Sequence, residues 1–302
     1  MNLFALDPLL AGDLDFGIVM IVLLKVVVTF ALVLVAVMLM IWFERKVHAD
    51  MSNRLGPNRA GPFGLLQTLA DGTKFFFKED LIPDRADRRV FILAPFLSMV
   101  PAFLTFSVVP IGGVFTEEKQ GAVEIAHNHT FLQLADPPIG ILLVLACSSI
   151  AVYGVMLAGW SSGSKYPLLG SVRATAQMVS YEAALGLSIV SVVLLTGSLS
   201  THDIVMEQAG EGFFGIIPSW NLIVTGLVPF VIFIIAGTAE LNRPPFDLVE
   251  AEQELVGGFH TEYSSIRFAL FFLAEFMNTV TMSAIIVTLF LGGPAGPTFF
   301  GP

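Results

Sequence analysis

Six stretches of the chain, near 17–43, 90–111, 137–160, 172–197, 221–240 and 264–291, are long and almost free of charge. Each is long enough to cross a bilayer, which takes about 20 residues of helix. They far exceed the length of a membrane barrel strand. In hydrocarbon a helix satisfies its own backbone, so helices are the only structure these segments can adopt. The expected fold is an all-α polytopic membrane protein with at least six transmembrane helices. Only 13% of its 302 residues are charged, against about a quarter in a typical soluble domain.

Thirteen of the fifteen lysines and arginines fall in three connections. Arg45, Lys46, Arg54, Arg59, Lys74, Lys78, Arg85, Arg88 and Arg89 follow the first span; Lys165 and Arg173 follow the third; Arg243 and Arg267 follow the fifth. The positive-inside rule puts these connections in the cytoplasm and the N-terminus outside. No basic region precedes the first span, so no signal peptide is expected and that span is read as retained. The formal net charge of −10 owes much to acids on the opposite side, a solvated face. One cysteine, Cys147, excludes an intrachain disulfide and cannot hold zinc or an iron–sulfur cluster. A sequon, Asn128-His129-Thr130, is a weak signal. His127, His129 and Glu124 are too few for a convincing metal centre, and no metal site is expected.

The chain reads as a single membrane domain over 1–302, with no internal repeat and two informative connections. In the loop 44–89, the turn-forming run Gly56-Pro-Asn-Arg-Ala-Gly-Pro-Phe-Gly64 precedes Leu65, Leu66, Leu69, Phe76 and Phe77 at roughly helical spacing. This predicts a short amphipathic helix along the cytoplasmic interface. Asp71 and Lys74, three apart, share a face and are able to pair. The glycines do not make a phosphate loop, because no GxxxxGK(S/T) string is present. The second connection, 241–263, is acidic. From Glu240 to Tyr263 it carries six carboxylates (Glu240, Asp247, Glu250, Glu252, Glu254 and Glu262), with Arg243 and His260. Pro244 and Pro245 are expected to end the fifth span near Asn242.

Carboxylates also lie within or at the ends of the spans. Glu182 sits ten residues into span four and Glu275 eleven into span six, both about 15 Å deep. Glu44 and Glu240 are expected at the cytoplasmic surface, giving a ladder of acids towards the membrane centre. Ionisable groups in hydrocarbon cost on the order of 3 kcal/mol each on insertion scales. Burial raises a carboxyl pKa and a nearby cation lowers it, so such groups can exchange protons near neutral pH. One buried Glu is accounted for as a neutral hydrogen-bonding link between helices. Four at graded depth, beside an acidic loop, favour a proton or ion path.

Several strings carry a resemblance. Trp42-Phe-Glu-Arg-Lys46, Arg54-Leu-Gly-Pro-Asn58, Gly61-Pro-Phe-Gly64, Leu66-Gln-Thr-Leu-Ala-Asp-Gly-Thr-Lys74, Glu240-Leu-Asn-Arg-Pro-Pro-Phe-Asp247, Glu252-Gln-Glu-Leu-Val-Gly-Gly-Phe-His-Thr-Glu-Tyr-Ser264 and Phe271-Phe-Leu-Ala-Glu275 occur in order. They resemble the quinone-site membrane subunits, the H subunits, of bacterial respiratory complex I, the proton-pumping NADH:quinone oxidoreductase. The resemblance implies a part in the quinone tunnel for Arg45, Arg59, Asp71, Lys74 and Phe246. It implies a carboxylate path through Glu44, Glu182, Glu240, Glu252, Glu254 and Glu275, with Arg243, Asp247, Glu250, His260 and Glu262 as supporting charges. No catalytic residue is expected here, because the groups thought to protonate quinone belong to another subunit in this family. Ubiquinone or menaquinone is the implied substrate. FMN and iron–sulfur clusters are expected in partner subunits, and the implied partners are the peripheral arm and the small and antiporter-like membrane subunits. Nucleic acid is not an expected partner, and the implied location is the bacterial plasma membrane. Members of the family have eight helices, two beyond Leu291, so the sequence is expected to be a piece of a longer protein. Two other readings remain: the related membrane subunit of a hydrogenase or formate hydrogenlyase, and an autonomous ion transporter.

Overall fold

A computed structural model of the chain describes residues 16–112, 133–209, 219–247, 249 and 252–295. The sequon, His127, His129, Glu124 and Glu250 lie outside the described residues. Ten α-helices and no strand occur among those described: α1 (Phe16–Met51), α2 (Gln67–Phe77), α3 (Arg88–Phe106), α4 (Gly140–Ser161), α5 (Lys165–Thr196), α6 (Thr201–Gln208), α7 (Asn221–Val224), α8 (Leu227–Glu240), α9 (Glu252–Leu255) and α10 (Ser265–Phe290). Five of them, α1, α3, α4, α5 and α10, are long and apolar enough to cross a membrane.

The remaining expected span, near 221–240, is broken. Between α7 and α8 the chain passes through Gly226 at φ 82°, a left-handed conformation that glycine adopts without steric cost. The helix that follows, α8, has 14 residues, about 21 Å of helix, short of the roughly 30 Å of bilayer hydrocarbon. It ends at Glu240, two residues before the expected stop. Asn242 takes a left-handed φ of 52° and the Arg243 amide donates back to the Thr238 carbonyl at 3.2 Å, a six-residue closure of the helix end.

Small residues let the helices approach closely. A side chain on Gly154 would run into Ser98 of α3, and one on Gly159 would run into Ser171 and the Pro167 carbonyl of α5. Backbones in a membrane bundle pack through such positions. The centre is filled by Val33, Val37, Ile189, Phe233, Met277 and Phe290. A second apolar cluster sits towards the end of the bundle that carries the basic residues. There Tyr263 stacks on Phe91 at 4.0 Å and its hydroxyl donates to the Phe91 carbonyl at 3.1 Å. Burial pushes that phenol up to about 12. At the far end, Gln208 of α6 joins three elements. Its amide nitrogen donates to the Ile204 and Thr288 carbonyls, and its oxygen accepts from the amides of Asn221 and Gly292.

Candidate functional site

The site starts from a pair of hydroxyls in α4. Ser148 and Ser149 are adjacent, so they point about 100° apart around the helix and serve different neighbours. Ser148 donates to Glu240 at the end of α8; Ser149 donates to Glu182 on α5. Glu182 lies near enough to Glu240 to act on it electrostatically. The position of Glu240 corrects the sequence reading, which put it at the surface. It is 5% exposed and level with the middle of α4, because the shortened α8 stops inside the bundle.

Two small cavities, of about 40 and 60 Å³, meet at Glu240. Both are also lined by Met178 and Asn278, and the larger extends to Glu275 and Ser98. At roughly 10–15 Å³ per water, each has room for a few waters. The walls are largely apolar but carry polar atoms that a water can bond: Glu240 Oε2, and in the larger cavity Ser98 Oγ, are buried with no protein hydrogen-bond partner.

Arg243 forms a bridge. Its Nη1 lies 3.1 Å from Glu44 Oε1 on α1 and its Nε 3.2 Å from Glu275 Oε1 on α10. The guanidinium sits over Phe276, 4.1 Å from the ring centroid, a desolvated cation–π contact. Asp247 and Glu44 also act electrostatically on Glu275. One arginine therefore balances both Glu44 and Glu275. The chain reaches this place because Gln177 of α5 holds the irregular stretch after α8. Its Nε2 is 2.8 Å from the Ala239 carbonyl, 2.9 Å from Asn242 Oδ1 and 3.0 Å from the Phe246 carbonyl.

Residues expected at the quinone side fall into separate places. α1 continues to Met51, so Glu44 and Arg45 stand on its last turns. Arg45 pairs with Asp71 of α2 at 2.5 Å, and Gln67 donates to the same carboxylate at 3.2 Å. Asp71 thus takes Arg45 as partner, while Lys74 lies 5.0 Å from the centroid of Phe75. Trp42 donates to the Phe63 carbonyl at 3.0 Å, pinning the turn run against α1. Arg59 is exposed on that run. Phe246 packs instead on Tyr181, 5.3 Å between centroids, at the other side of the Arg243 turn.

The acidic connection is divided as well. Glu254 is exposed and pairs with Arg173 at 2.6 Å, away from the buried carboxyls. Glu252 lies on α9, and Glu262 is half-buried next to Tyr263. His260, expected as a supporting charge, is packed edge-on between Phe259 and Phe268. Burial pushes its imidazole down to about 4, so it is neutral at pH 7. No group of three or more His, Cys, Asp or Glu side chains able to hold a metal occurs among the described residues.

The family model described as NADH dehydrogenase matches residues 24–301. The H subunit of the NADH-quinone oxidoreductase of Frankia alni is 53% identical over 297 residues, covering 98% of this chain and 62% of that protein. An H subunit of the Koribacter versatilis NADH-quinone oxidoreductase is 50% identical over 291 residues, covering 92% and 78%. An H subunit of the Geobacter metallireducens NADH-quinone oxidoreductase is 48% identical over 281 residues, covering 91% and 78%. This chain belongs to the NADH dehydrogenase family of H subunits. It spans about three fifths of the length of the Frankia alni relative.

Within this family frame, four site residues escaped the sequence reading. Ser148, Ser149 and Gln177 had no assigned part, and Arg173 counted only towards orientation. A signal for the serines existed: two adjacent hydroxyls in an otherwise apolar span need polar partners from two neighbouring helices. Gln177 gave a similar signal, an amide five residues before Glu182 on a span.

Proposed function

We propose that this chain is the quinone-side membrane subunit of a proton-pumping NADH:quinone oxidoreductase. It forms one wall of the quinone tunnel and the buried path that links quinone reduction to proton translocation. The observation that carries this reading is the placement of Glu240 and Glu275 on cavities that meet at Glu240, with Glu182 acting on Glu240 from α5 and Arg243 connecting Glu275 to Glu44 at the basic end. Reducing a quinone consumes two electrons and two protons, which changes the charge near Glu44, Arg45 and Asp71. The single arginine between Glu44 and Glu275 passes that change inward: a stronger hold on one carboxylate loosens its hold on the other. Glu275 and Glu240 then exchange a proton through the cavity between them. Glu252 and Glu254 would serve the mouth of the path, and Arg45, Arg59, Asp71, Lys74 and Phe246 the tunnel wall.

The chain itself would bind no redox cofactor. FMN and iron–sulfur clusters would lie in partner subunits of the peripheral arm, and small and antiporter-like membrane subunits would carry the protons. In the plasma membrane, the basic connections and α2 would face the cytoplasm and the N-terminus the outside.

The test uses the complete complex in membrane vesicles. Glu240→Gln and Glu275→Gln are expected to lower NADH:quinone turnover and coupled pumping about tenfold, judged against NADH:ferricyanide activity as the measure of assembly. Normal pumping in both variants would falsify the path.

A further inference from the structure

Gln177 touches none of the carboxylates, yet it fixes the segment that presents Arg243 to them. All three groups facing its amide nitrogen are oxygens, and two are backbone carbonyls that can only accept. The atom turned to them is therefore the NH₂ group and not the amide oxygen. Its two hydrogens are shared among acceptors on both sides of Arg243: Ala239 and Asn242 before it, Phe246 after it. Within the turn, local backbone bonds run from Asn242 N to Ala239 O at 3.2 Å, from Arg243 N to Thr238 O at 3.2 Å and from Phe246 N to Arg243 O at 2.8 Å. The Gln177 amide of α5 thus spans the loop from which the Arg243 guanidinium reaches Glu44 and Glu275, beside the Tyr181 ring that packs on Phe246. A glutamate at this place would set a carboxylate against three oxygens, and an apolar side chain would remove the donor that the three share.

We infer that Gln177 is a positioning residue which sets Arg243 between Glu44 and Glu275. This rests on the path proposed above. Release of the turn moves the guanidinium relative to two partners at about 3 Å, and displacement on the order of 1 Å is costly at such a site. The effect passes through Arg243, so losing the support and altering the arginine remove the same interaction.

The test is a double-mutant cycle in the assembled complex in native membranes, with turnover normalised to ferricyanide activity. Gln177→Met keeps length and volume without a donor. It is expected to lower NADH:quinone turnover about tenfold and to shift the pH profile in the direction that Arg243→Lys shifts it. The pair Gln177→Met with Arg243→Lys should be no worse than Arg243→Lys alone, whereas Gln177→Met with Arg45→Lys should multiply. Should Gln177→Met fail to assemble, Gln177→Asn keeps the amide one methylene short and is expected to lose about threefold with the same pH shift. A wild-type profile in the assembled variant, or losses that multiply with those of Arg243→Lys, overturns the positioning role alone. Normal turnover and an unchanged profile in Arg243→Lys overturn the path itself, and this inference with it.

Discussion

Gln208 at the far end of the bundle and Glu240 at its centre are both buried and built to opposite rules. Gln208 uses both amide hydrogens and both oxygen lone pairs, tying α6 to α7 and α10. Glu240 has one oxygen held by Ser148 and the other bare, facing cavities. A buried polar atom without a partner costs about 1–3 kcal/mol, so a stability-driven design would have filled that space. The far end uses its polar groups to fix helices. The centre leaves capacity open, which is what transfer of a proton needs, because an oxygen fully saturated by fixed donors has no place to accept one.

The contrast breaks most easily at Gln208. Replacing it with Leu would leave the amides of Asn221 and Gly292 and the Thr288 carbonyl without their partner. A loss on the order of 3 kcal/mol is expected, read as a lower thermal midpoint and a lower yield of assembled complex. Turnover per assembled complex should stay within about twofold of wild type, since a node that only holds helices acts on stability. A tenfold loss of turnover at unchanged stability would erase the distinction between the two regions.

Ser148→Ala and Ser149→Ala sharpen it from the other side. Ser148→Ala removes one hydroxyl from Glu240, which faces the cavities, and Ser149→Ala one from the half-buried Glu182, so stability should move by no more than about 1 kcal/mol. Quinone-linked turnover should fall about threefold with a displaced pH profile, measured in vesicles across the neutral range. Both variants behaving as wild type would mean that the carboxyls do not titrate during turnover.

Five of the six apolar spans were legible because length and hydropathy decide membrane crossing, and α2 because its apolar residues recur at helical spacing. The break in the fifth span was less so. Gly226 stands in the sequence, but a glycine in an apolar span is compatible with an unbroken helix, and the misplacement of Glu240 followed directly. Glu182 and Glu275 were legible as costly charges. Their partners were not, because a serine in α4 and an arginine after α8 are brought to them by tertiary packing alone. The Asp71–Lys74 pairing lost for a similar reason. The sequence offers a neighbour on the same helix, while the fold offers Arg45 from another, whose planar guanidinium matches a carboxylate better than an ammonium does.

His260 separates the acidic connection from the path by the smallest measurable effect. Its folded value, about 4, lies below the ordinary value near 6.5 that it regains on unfolding. Between those values the unfolded chain binds more protons than the folded one, so stability rises with pH across this window and is flat above about pH 7. Acidifying the purified complex from pH 7 to about 5 should lower its thermal midpoint, and His260→Phe should remove that share of the slope. The substitution keeps a ring between Phe259 and Phe268, so the neutral-pH midpoint should change little. Turnover at pH 7 should also be unchanged, because a histidine neutral at that pH supplies no charge to remove. A fall in turnover at constant midpoint would instead return His260 to the set of groups that carry protons, and the aromatic cluster around it would become part of the path rather than its frame.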